Sequence, residues 1–250
     1  MSRKKIIVTG ASSGIGRATA ERFAAEDWDV CVLARRAEEL DRLLAELPAG
    51  DHLKLVGDYA NPDTAARLEA LLRERWSRLD VLVNCAGVFI PGNPLSDALS
   101  NWRKPLDIML DGAMLMTRGA VPLMASGGRV IHITSIHGER VERGASAYAM
   151  AKAAINQYCR SLALELADRG ILVNAIAPGF VATPMSVVNG VDELQSDWFR
   201  KNYIEGHHLP LRRAGRSAEI AGVAWFLAGP DSTYITGQVI AVDGGLSITF

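Results

Sequence analysis

The chain has few cysteines and almost no excess charge. Its 250 residues include only three cysteines, Cys31, Cys85 and Cys159, which are far apart and lie in apolar surroundings. Because there is neither a CxxC pair nor a Cys/His cluster, we expect no disulfide framework, no metal site and a reducing compartment. The 27 Lys and Arg residues nearly balance the 28 Asp and Glu residues, which gives a net charge of -1. Nucleic acid and anionic membranes are therefore not expected as partners.

Long apolar runs are also missing. No run approaches the ~18 residues of a membrane-spanning helix, and residues 1–5 lead into an apolar segment too short for a signal peptide. We therefore expect a soluble, cytoplasmic protein. The sequence has no internal repeat, low-complexity tract or Pro/Ser-rich linker, and 49% of its residues are hydrophobic, which suits a substantial core. One domain spanning residues 1–250 is the simplest prediction.

Short β-rich runs alternate with longer helical segments along the chain. The predicted strands cover residues 5–9, 30–33, 52–56, 81–83, 129–133, 171–173 and 238–242. Because these runs are almost continuously apolar, they favour a parallel sheet that is buried on both faces. The expected fold is α/β, with a doubly wound parallel β-sheet flanked by helices. Two long helices are predicted, one over residues 98–125 and one over residues 146–169.

A glycine-rich turn follows the first predicted strand and precedes a helix. Such a turn lets a diphosphate approach the free N–H groups at the helix N-terminus. A purely structural turn is the alternative, but the position at the front of a βαβ unit favours nucleotide binding. The predicted cofactor-binding residues in this turn are Gly10, Ser12, Ser13, Gly14, Ile15 and Gly16.

The end of the second strand predicts the type of dinucleotide. A carboxylate there binds a ribose 2′-hydroxyl, whereas a cation binds a 2′-phosphate. Ala34 stands where the acid would be, and Arg35 and Arg36 follow it. NADP(H) is therefore favoured, and NAD(H) stays open. As an alternative, the two arginines could form ion pairs with acids of the next helix, which would explain Arg36 better than Arg35. Those acids are Glu38, Glu39 and Asp41.

Polar and small residues end four further strands at the edge where open α/β sheets bind ligands. Asp58 follows the third strand, where it could accept a bond from an adenine amino group or, alternatively, cap a turn. The turn at residues 84–87 follows the fourth strand, Ser135 follows the fifth, and residues 174–183 end the sixth in a Pro/Gly break. We expect these residues to converge on one crevice.

Tyr148 and Lys152 are four residues apart in the second long helix, so both can lie on one helix face. A free phenol has a pKa near ~10, and a neighbouring ammonium would lower that pKa. A tyrosine of that kind can transfer protons in catalysis. By themselves, Tyr and Lys at this spacing are more often an exposed surface pair.

Together these motifs resemble the short-chain dehydrogenase/reductase family, over essentially the whole chain and in the family's order and spacing. The resemblance implies a single Rossmann-type domain that transfers a hydride between a nicotinamide cofactor and a carbonyl or secondary alcohol. It also implies that Tyr148 is the general acid/base, that Lys152 lowers the pKa of Tyr148 and holds the nicotinamide ribose, and that Ser135 orients the substrate oxygen. Further cofactor contacts implied by the resemblance are Asn84, Ala86, Gly87, Pro178, Gly179, Val181 and Thr183.

One position departs from the family pattern. The family has an Asn in the helix after the fourth strand, which holds water beside the lysine, and Met109 stands at that position here. A thioether is only a weak acceptor. Asp107 and Asp111 are each about 200° around a regular helix from Met109, and nothing in the sequence demands a distortion that would re-aim them. We therefore hypothesise that proton relay behind Lys152 is rewired or weakened.

The substrate is less well defined. Residues 185–211 correspond to the family's variable substrate loop, in which Leu194, Trp198 and Phe199 are predicted to pack as a lid or as ordinary core. The loop at residues 137–143 is unusually charged, and His137 is a candidate substrate contact. If these side chains face the crevice, a sugar or polyol is favoured, whereas exposure to water would carry no information. A 3-oxoacyl thioester is the alternative substrate.

The family resemblance further implies a homotetramer, which pairs through the two long helices and through the C-terminal strand and tail up to Phe250. Two other functions are considered. A dinucleotide-binding sensor or scaffold is supported only by Met109, and it would not need Ser135, Tyr148 and Lys152 together. A methyltransferase on a related sheet would need neither the Tyr/Lys pair nor Arg35.

Overall fold

The computed structural model describes residues 3–188 and 190–249. The helices are α1 (Gly14–Ala25), α2 (Ala37–Glu46), α3 (Pro62–Arg75), α4 (Leu99–Trp102), α5 (Lys104–Leu106), α6 (Gly112–Ala120), α7 (Ser146–Glu165), α8 (Asp197–Phe199) and α9 (Ser217–Ala228). The strands are β1 (Lys5–Thr9), β2 (Asp29–Ala34), β3 (Leu53–Val56), β4 (Leu79–Asn84), β5 (Met124–Ile133), β6 (Leu172–Pro178), β7 (Val181–Ala182), β8 (Val187–Val188), β9 (Val191–Asp192), β10 (Gly215–Arg216) and β11 (Val239–Val242).

Seven strands form one parallel sheet in the order β11-β6-β5-β4-β1-β2-β3. The chain reverses its direction of strand addition between β1 and β4, where Thr9 lies opposite Asn84. A reversal of this kind opens a crevice at the carboxyl ends of the strands. The structure thus confirms the predicted fold class, a Rossmann-type doubly wound sheet.

Helices cover both faces of the sheet and form two cores. Ile7 packs in the core beneath α3, α6 and α7, while Ile6 and Val8 pack in the core beneath α1, α2 and α9. Alternate residues of β1 thus face opposite cores, as the pleat of a strand requires. This double burial is the reason why the central strands β1, β2 and β4 are almost continuously apolar.

The first predicted long helix, residues 98–125, is wrong as a continuous element. The chain forms α4, α5, a π-helical segment over Asp107–Asp111, α6 and then a 3₁₀ turn over Val121–Leu123. Strand β5 already begins at Met124. Pro105 and Pro122 lack the N–H group that a regular helix would use at those positions, so the segment is interrupted near each.

The second long helix is shorter than predicted. Helix α7 ends at Glu165, and a 3₁₀ turn covers Ala167–Arg169 before Gly170 adopts a left-handed conformation with φ of 67°. Glycine adopts this conformation without a Cβ penalty, which makes it a common helix terminator. The difference lies at the far end of α7 and leaves Tyr148 and Lys152 within regular helix.

The variable segment, residues 185–211, folds as short elements rather than as one lid helix. It contains the β8–β9 hairpin, α8 and a π-helical segment over Arg200–Glu205. Asn189 in this segment and Phe250 in the predicted subunit contact lie outside the described residues. None of the helices described here combines the length and apolar character needed to span a bilayer.

Candidate active site

A crevice of about 1100 Å³ lies along the carboxyl ends of the parallel strands. It brings together the predicted residues from the glycine turn, from the ends of β2 to β6 and from helix α7. The predicted site residues that line it are Gly10, Ser12, Ser13, Gly14, Ile15, Gly16, Arg35, Asp58, Ala86, Gly87, Ser135, His137, Tyr148, Lys152, Pro178, Gly179, Val181 and Thr183. Convergence on one crevice was expected from the parallel topology, because all these segments share one sheet edge.

The glycine turn packs too closely for side chains. A Cβ on Gly10, whose φ is +66°, would lie 2.8 Å from the Ala86 Cα, and a Cβ on Gly16 would lie 2.4 Å from the Gly10 oxygen. These contacts bring the N-terminus of α1 up to the crevice. The N-cap residue, Ser13, makes no side-chain bond to the first helical turn. The turn therefore offers backbone and hydroxyl donors of the type that bind a diphosphate.

Arg36 faces the glycine turn. Its Nη2 donates hydrogen bonds to Ser12 Oγ (3.0 Å) and Ser13 Oγ (2.9 Å). The alternative in which Arg36 pairs with acids of the next helix is therefore wrong. Two of those acids have other partners, since Glu39 binds Arg42 and Asp41 binds Lys54.

Both arginines after β2 line the crevice, and neither forms an ion pair among the described residues. Two guanidiniums at this edge suit the dianionic phosphate of NADP(H) better than the free hydroxyl of NAD(H). The donor set thus fits the expected dinucleotide. The prediction from the sequence named only Arg35 as a phosphate contact. The second arginine of the Arg35–Arg36 pair was the feature that indicated Arg36 as well.

Asp58 and Asn84 differ from the other predicted cofactor residues. The Asp58 carboxylate accepts a hydrogen bond from Ala60 N (3.0 Å), so it has the predicted turn role while also lining the crevice.

Asn84 is buried behind the crevice, where its Nδ2 lies 3.3 Å from both Thr117 Oγ1 and His132 Nδ1. The structure therefore does not bring Asn84 to the crevice. Asn84 is the last residue of β4, and its side chain points toward Thr117 of α6 instead of toward the edge of the sheet.

Ser135, Tyr148 and Lys152 form a buried group in the middle of the crevice. They are 7%, 8% and 4% exposed, and the Ser135 hydroxyl lies close enough to the Tyr148 phenol to act on its pKa. Lys152 Nζ lies 5.6 Å from the centroid of the Tyr148 ring and donates to Ile133 O (2.8 Å). The reading of Tyr148 and Lys152 as an exposed surface pair is therefore wrong. Their burial beside Ser135 suits proton transfer to a bound oxygen.

Burial dominates the pKa values of this pair. It raises the pKa of Tyr148 above the usual 10, although the Ser135 hydroxyl acts in the opposite direction. It also lowers the pKa of Lys152 to about 8. Lys152 is not among the groups that shift the Tyr148 pKa, so the predicted lowering of that pKa by Lys152 is not found. Tyr148 rests as the neutral phenol, which is the form that can donate a proton.

Met109 lies in the π-helical segment and is fully buried. A Cβ built on Gly87 would lie 3.6 Å from Met109 Sδ and 3.7 Å from Lys152 Nζ, so the thioether and the ammonium border the same small space. The helix is thus distorted at this point, contrary to the expectation of regular geometry. The distortion does not supply a carboxylate, because Asp107 binds Arg103 (2.8 Å) and Asp111 is exposed.

The charged loop after Ser135 faces the crevice in part. Arg140, Glu142 and Arg143 line the crevice together with His137, whereas Glu139 lies 3.9 Å from Arg160 and does not line it. The His137 ring packs edge-on against the Tyr148 ring at a centroid distance of 5.8 Å. His137 is half-buried, whereas Arg140, Glu142 and Arg143 border the crevice and are also exposed to solvent, so the condition under which the sequence favours a polar substrate is met in part.

Aromatic side chains form the opposite wall of the crevice. The Tyr203 ring packs against Phe180 and Phe199 at centroid distances of 4.7 and 5.3 Å, and Trp198 is 58% exposed at the rim. Phe199 is buried, as packing of the predicted apolar stripe requires. Phe180 and Tyr203 were not among the predicted site residues, since nothing in the sequence says which side of a loop faces a crevice.

Comparison with known proteins gives matches along nearly the whole chain. A family model described as Enoyl-(Acyl carrier protein) reductase matches residues 10–247. Glucose 1-dehydrogenase of Gluconobacter oxydans (strain 621H) is 37% identical over 253 residues, covering 98% of this chain and 92% of that protein. The 3-oxoacyl-[acyl-carrier-protein] reductase of Synechocystis sp. (strain ATCC 27184 / PCC 6803 / Kazusa) is 38% identical, covering 96% and 95%.

A solved structure gives the same result in three dimensions. The short-chain dehydrogenase from Burkholderia cenocepacia J2315 in complex with NADP superposes with a TM-score of 0.87 at 28% identity, covering 98% of each chain. Fold, motif order and sequence identity thus agree over the same residues. This chain belongs to the short-chain dehydrogenase/reductase family, whose members are enzymes that oxidise CH–OH groups or reduce C=O groups.

Proposed function

We propose that the protein is an NADP(H)-dependent oxidoreductase that interconverts a secondary alcohol and a carbonyl on a sugar or polyol, with Tyr148 as general acid/base. The buried group formed by Ser135, Tyr148 and Lys152 carries this proposal. A module that only bound a dinucleotide would have no use for these three polar side chains together inside an apolar setting, because burying polar groups costs free energy.

In this proposal Tyr148 and Ser135 act on the substrate oxygen. Ser135 holds the oxygen in place, and Tyr148 donates its phenolic proton when a carbonyl is reduced or accepts the alcohol proton in the reverse direction. A bound nicotinamide supplies or accepts the hydride. Lys152 binds the ribose hydroxyls and, as a cation, stabilises the phenolate form of Tyr148 once the crevice is filled.

NADP(H) is proposed as the preferred cofactor because Arg36 and Arg35 border the glycine turn and no carboxylate stands at the end of β2. Further support comes from the related Burkholderia enzyme, whose structure contains NADP. Use of NAD(H) is the alternative. It would leave the two guanidiniums without an anionic partner.

A sugar or polyol is proposed as substrate because His137, Glu142 and Arg143 face the crevice and offer both donors and acceptors. A related enzyme that is named glucose 1-dehydrogenase supports this class. The second candidate, a 3-oxoacyl thioester, is supported by the relative named 3-oxoacyl-[acyl-carrier-protein] reductase.

Two further proposals concern the whole protein. We propose a homotetramer that pairs through the outer faces of α4, α6 and α7, where Leu99, Met114 and Met150 are exposed. Large apolar side chains exposed on neighbouring helices are typical of a subunit contact. A cytoplasmic location is proposed from the three free cysteines, which fit a reducing compartment.

An activity panel tests the proposed function. The purified protein is assayed with NADP⁺ and NAD⁺ against glucose, ribitol and cyclohexanol, and with NADPH and NADH against cyclohexanone and an acetoacetyl thioester. We expect NADP⁺ reduction with at least one sugar or polyol. Faster reduction of the thioester would favour the second candidate. Absence of turnover with every alcohol and carbonyl, in a protein that binds NADPH, would contradict the proposed reaction.

A further inference from the structure

A histidine and a glutamate stand beside the proposed general acid without taking part in the reaction assigned to Ser135, Tyr148 and Lys152. His137 Nε2 lies 3.3 Å from Glu142 Oε2, and both side chains line the crevice. Resting on the proposed function, we propose that His137 and Glu142 bind a hydroxyl group on the carbon next to the reacting carbon, and so select vicinal diols and their hydroxyketones.

The position of His137 is fixed relative to both catalytic side chains. It lies in the 3₁₀ turn Ile136–Gly138 directly after Ser135, and its backbone N–H donates to Ser135 Oγ (3.1 Å). Its ring packs edge-on against the Tyr148 ring at 5.8 Å with an interplanar angle of 80°. A substrate whose oxygen binds Ser135 and Tyr148 therefore places its neighbouring carbon next to His137.

The loop that carries Glu142 is tied down at three points. Arg140 Nη2 donates to Ser247 O (2.6 Å), Gly92 N donates to Gly144 O (2.9 Å), and Ala145 N donates to Glu142 O (3.2 Å). These bonds hold the loop against the C-terminal segment and against the chain after β4. A carboxylate that is fixed before binding loses less entropy when it takes up a ligand.

The chemistry of the pair favours a hydroxyl over other substituents. An ionised carboxylate only accepts hydrogen bonds, and it has about four lone-pair sites, of which His137 occupies one. Glu142 can therefore accept from the O–H groups of a substrate. The Glu142 side chain is 43% exposed, so a methylene bound at this place would displace water from the carboxylate without replacing its hydrogen bonds, which costs free energy. An ammonium group is disfavoured, because Arg140 and Arg143 line the same side of the crevice.

The space around the pair also suits a compact polar molecule. Tyr203 also lines the crevice, where burial and the nearby Glu142 carboxylate raise the pKa of its phenol, and its ring is backed by Phe180 and Phe199. An apolar surface that carries one phenol thus borders the same crevice as the charged pair. A ring or short chain with hydroxyl groups on one side can satisfy both walls, whereas an extended apolar chain would leave the charged pair unpaired.

The test compares two substrates that differ by one hydroxyl, trans-1,2-cyclohexanediol and cyclohexanol, with the oxidised cofactor that the wild-type protein uses. We expect the wild type to oxidise the diol with the higher kcat/KM. Glu142→Gln and His137→Phe should each lower the diol-to-monoalcohol ratio of kcat/KM by about tenfold or more, mainly through KM, because each removes a charge-assisted or direct hydrogen bond. Turnover of cyclohexanol reports that each variant is folded.

Glu139→Gln is the matched control, because it neutralises a carboxylate of the same loop that does not line the crevice. It should keep the wild-type ratio. A wild type without preference for the diol would overturn the inference, as would an unchanged ratio in the two variants or an equal fall in Glu139→Gln. In those cases cyclohexanol turnover still supports the proposed reaction. If neither alcohol is oxidised and cyclohexanone is not reduced, the proposed function fails and the inference fails with it.

Discussion

Lys152 is almost completely buried, and its ammonium donates to the Ile133 carbonyl. Because burial disfavours the charged form, the pKa of Lys152 falls from its ordinary 10.5 to about 8. Between these two values the unfolded chain binds more protons than the folded protein, so folding stability rises with pH across that window. Below pH 8 the folded protein carries the whole cost of the buried charge, up to about 3 kcal/mol, since one pKa unit corresponds to about 1.4 kcal/mol.

The first prediction follows from this rise of folding stability with pH. Lys152→Met removes the buried charge while keeping an unbranched apolar side chain, so the variant should melt at a higher temperature than the wild type at pH 7. The difference should shrink as the pH rises from 8 to 10.5. Thermal unfolding of the ligand-free proteins measures it, and Lys201→Met, at an exposed position, is the control. A stability difference that stays constant over this pH range would contradict the account.

Arg36 gives a second prediction. Arg36→Ala removes a guanidinium at the glycine turn, so it should weaken NADPH binding by about ten- to a hundredfold, the loss expected for a charge-assisted hydrogen bond. NADH binding should change little, because NADH has no 2′-phosphate. Fluorescence titration of each cofactor measures both values. Arg42→Ala, in the helix α2 that follows Arg36, is the control, because the Arg42 guanidinium binds Glu39. Equal losses for the two cofactors would contradict the proposed phosphate contact.

Only part of the site could be predicted from the positions of residues in the sequence. The family resemblance singled out Ser135, Tyr148 and Lys152, and their place depends on backbone position alone, because each sits at a strand end or at helical spacing that the fold brings together. Arg36 and Asn84 were misjudged for the opposite reason, since each depends on side-chain direction. Arg36 turns back to the glycine turn instead of forward along α2, while Asn84 turns away from the crevice to Thr117.

At the scale of elements, the apolar periodicity of the sequence does not predict the π-helical segment Asp107–Asp111. A π-helix is a local widening of an otherwise helical stretch, and it leaves the apolar pattern almost unchanged. It places Met109, fully buried, at the space that Lys152 borders. A thioether in this space offers Lys152 almost no hydrogen-bonding capacity.

The third prediction concerns proton relay behind Lys152. Met109→Asn puts an amide into this space, so the rate and the pH profile of kcat should both change. The variant should also be less stable, because an amide buried without full pairing costs about 1–3 kcal/mol. Met109→Leu, a change that nearly conserves volume, is the control and should keep the wild-type profile. An unchanged rate and pH profile in Met109→Asn would count against a rewired relay.

At the scale of the molecule, the fold was predictable because its signals repeat. Strands β1, β2 and β4 are buried on both faces along nearly their whole length, so continuous apolar runs mark them, as Ile6, Ile7 and Val8 of β1 illustrate. The surface lacks such redundancy. Whether Met114 and Met150 on the outer faces of α6 and α7 are covered by another copy depends on shape, which the sequence pattern does not encode.

The fourth prediction is the state of assembly. Sedimentation of the wild-type protein should give a homotetramer. Met150→Glu should dissociate it, because a symmetric contact would bring like charges together and bury them. Val191→Glu, in the exposed β8–β9 hairpin, is the control and should leave the assembly intact. A wild-type protein that sediments as a monomer would refute the proposed tetramer.

The turnover of Tyr148→Phe tests the central claim most directly. Removing one hydroxyl from the buried phenol should lower kcat by about 10²- to 10⁴-fold, the usual contribution of a general acid/base, while NADPH binding and folding persist. Tyr158→Phe removes the equivalent hydroxyl elsewhere on α7 and should retain activity. A Tyr148→Phe variant that keeps turnover within about tenfold of the wild type would contradict the assignment of Tyr148 as the proton-transferring residue.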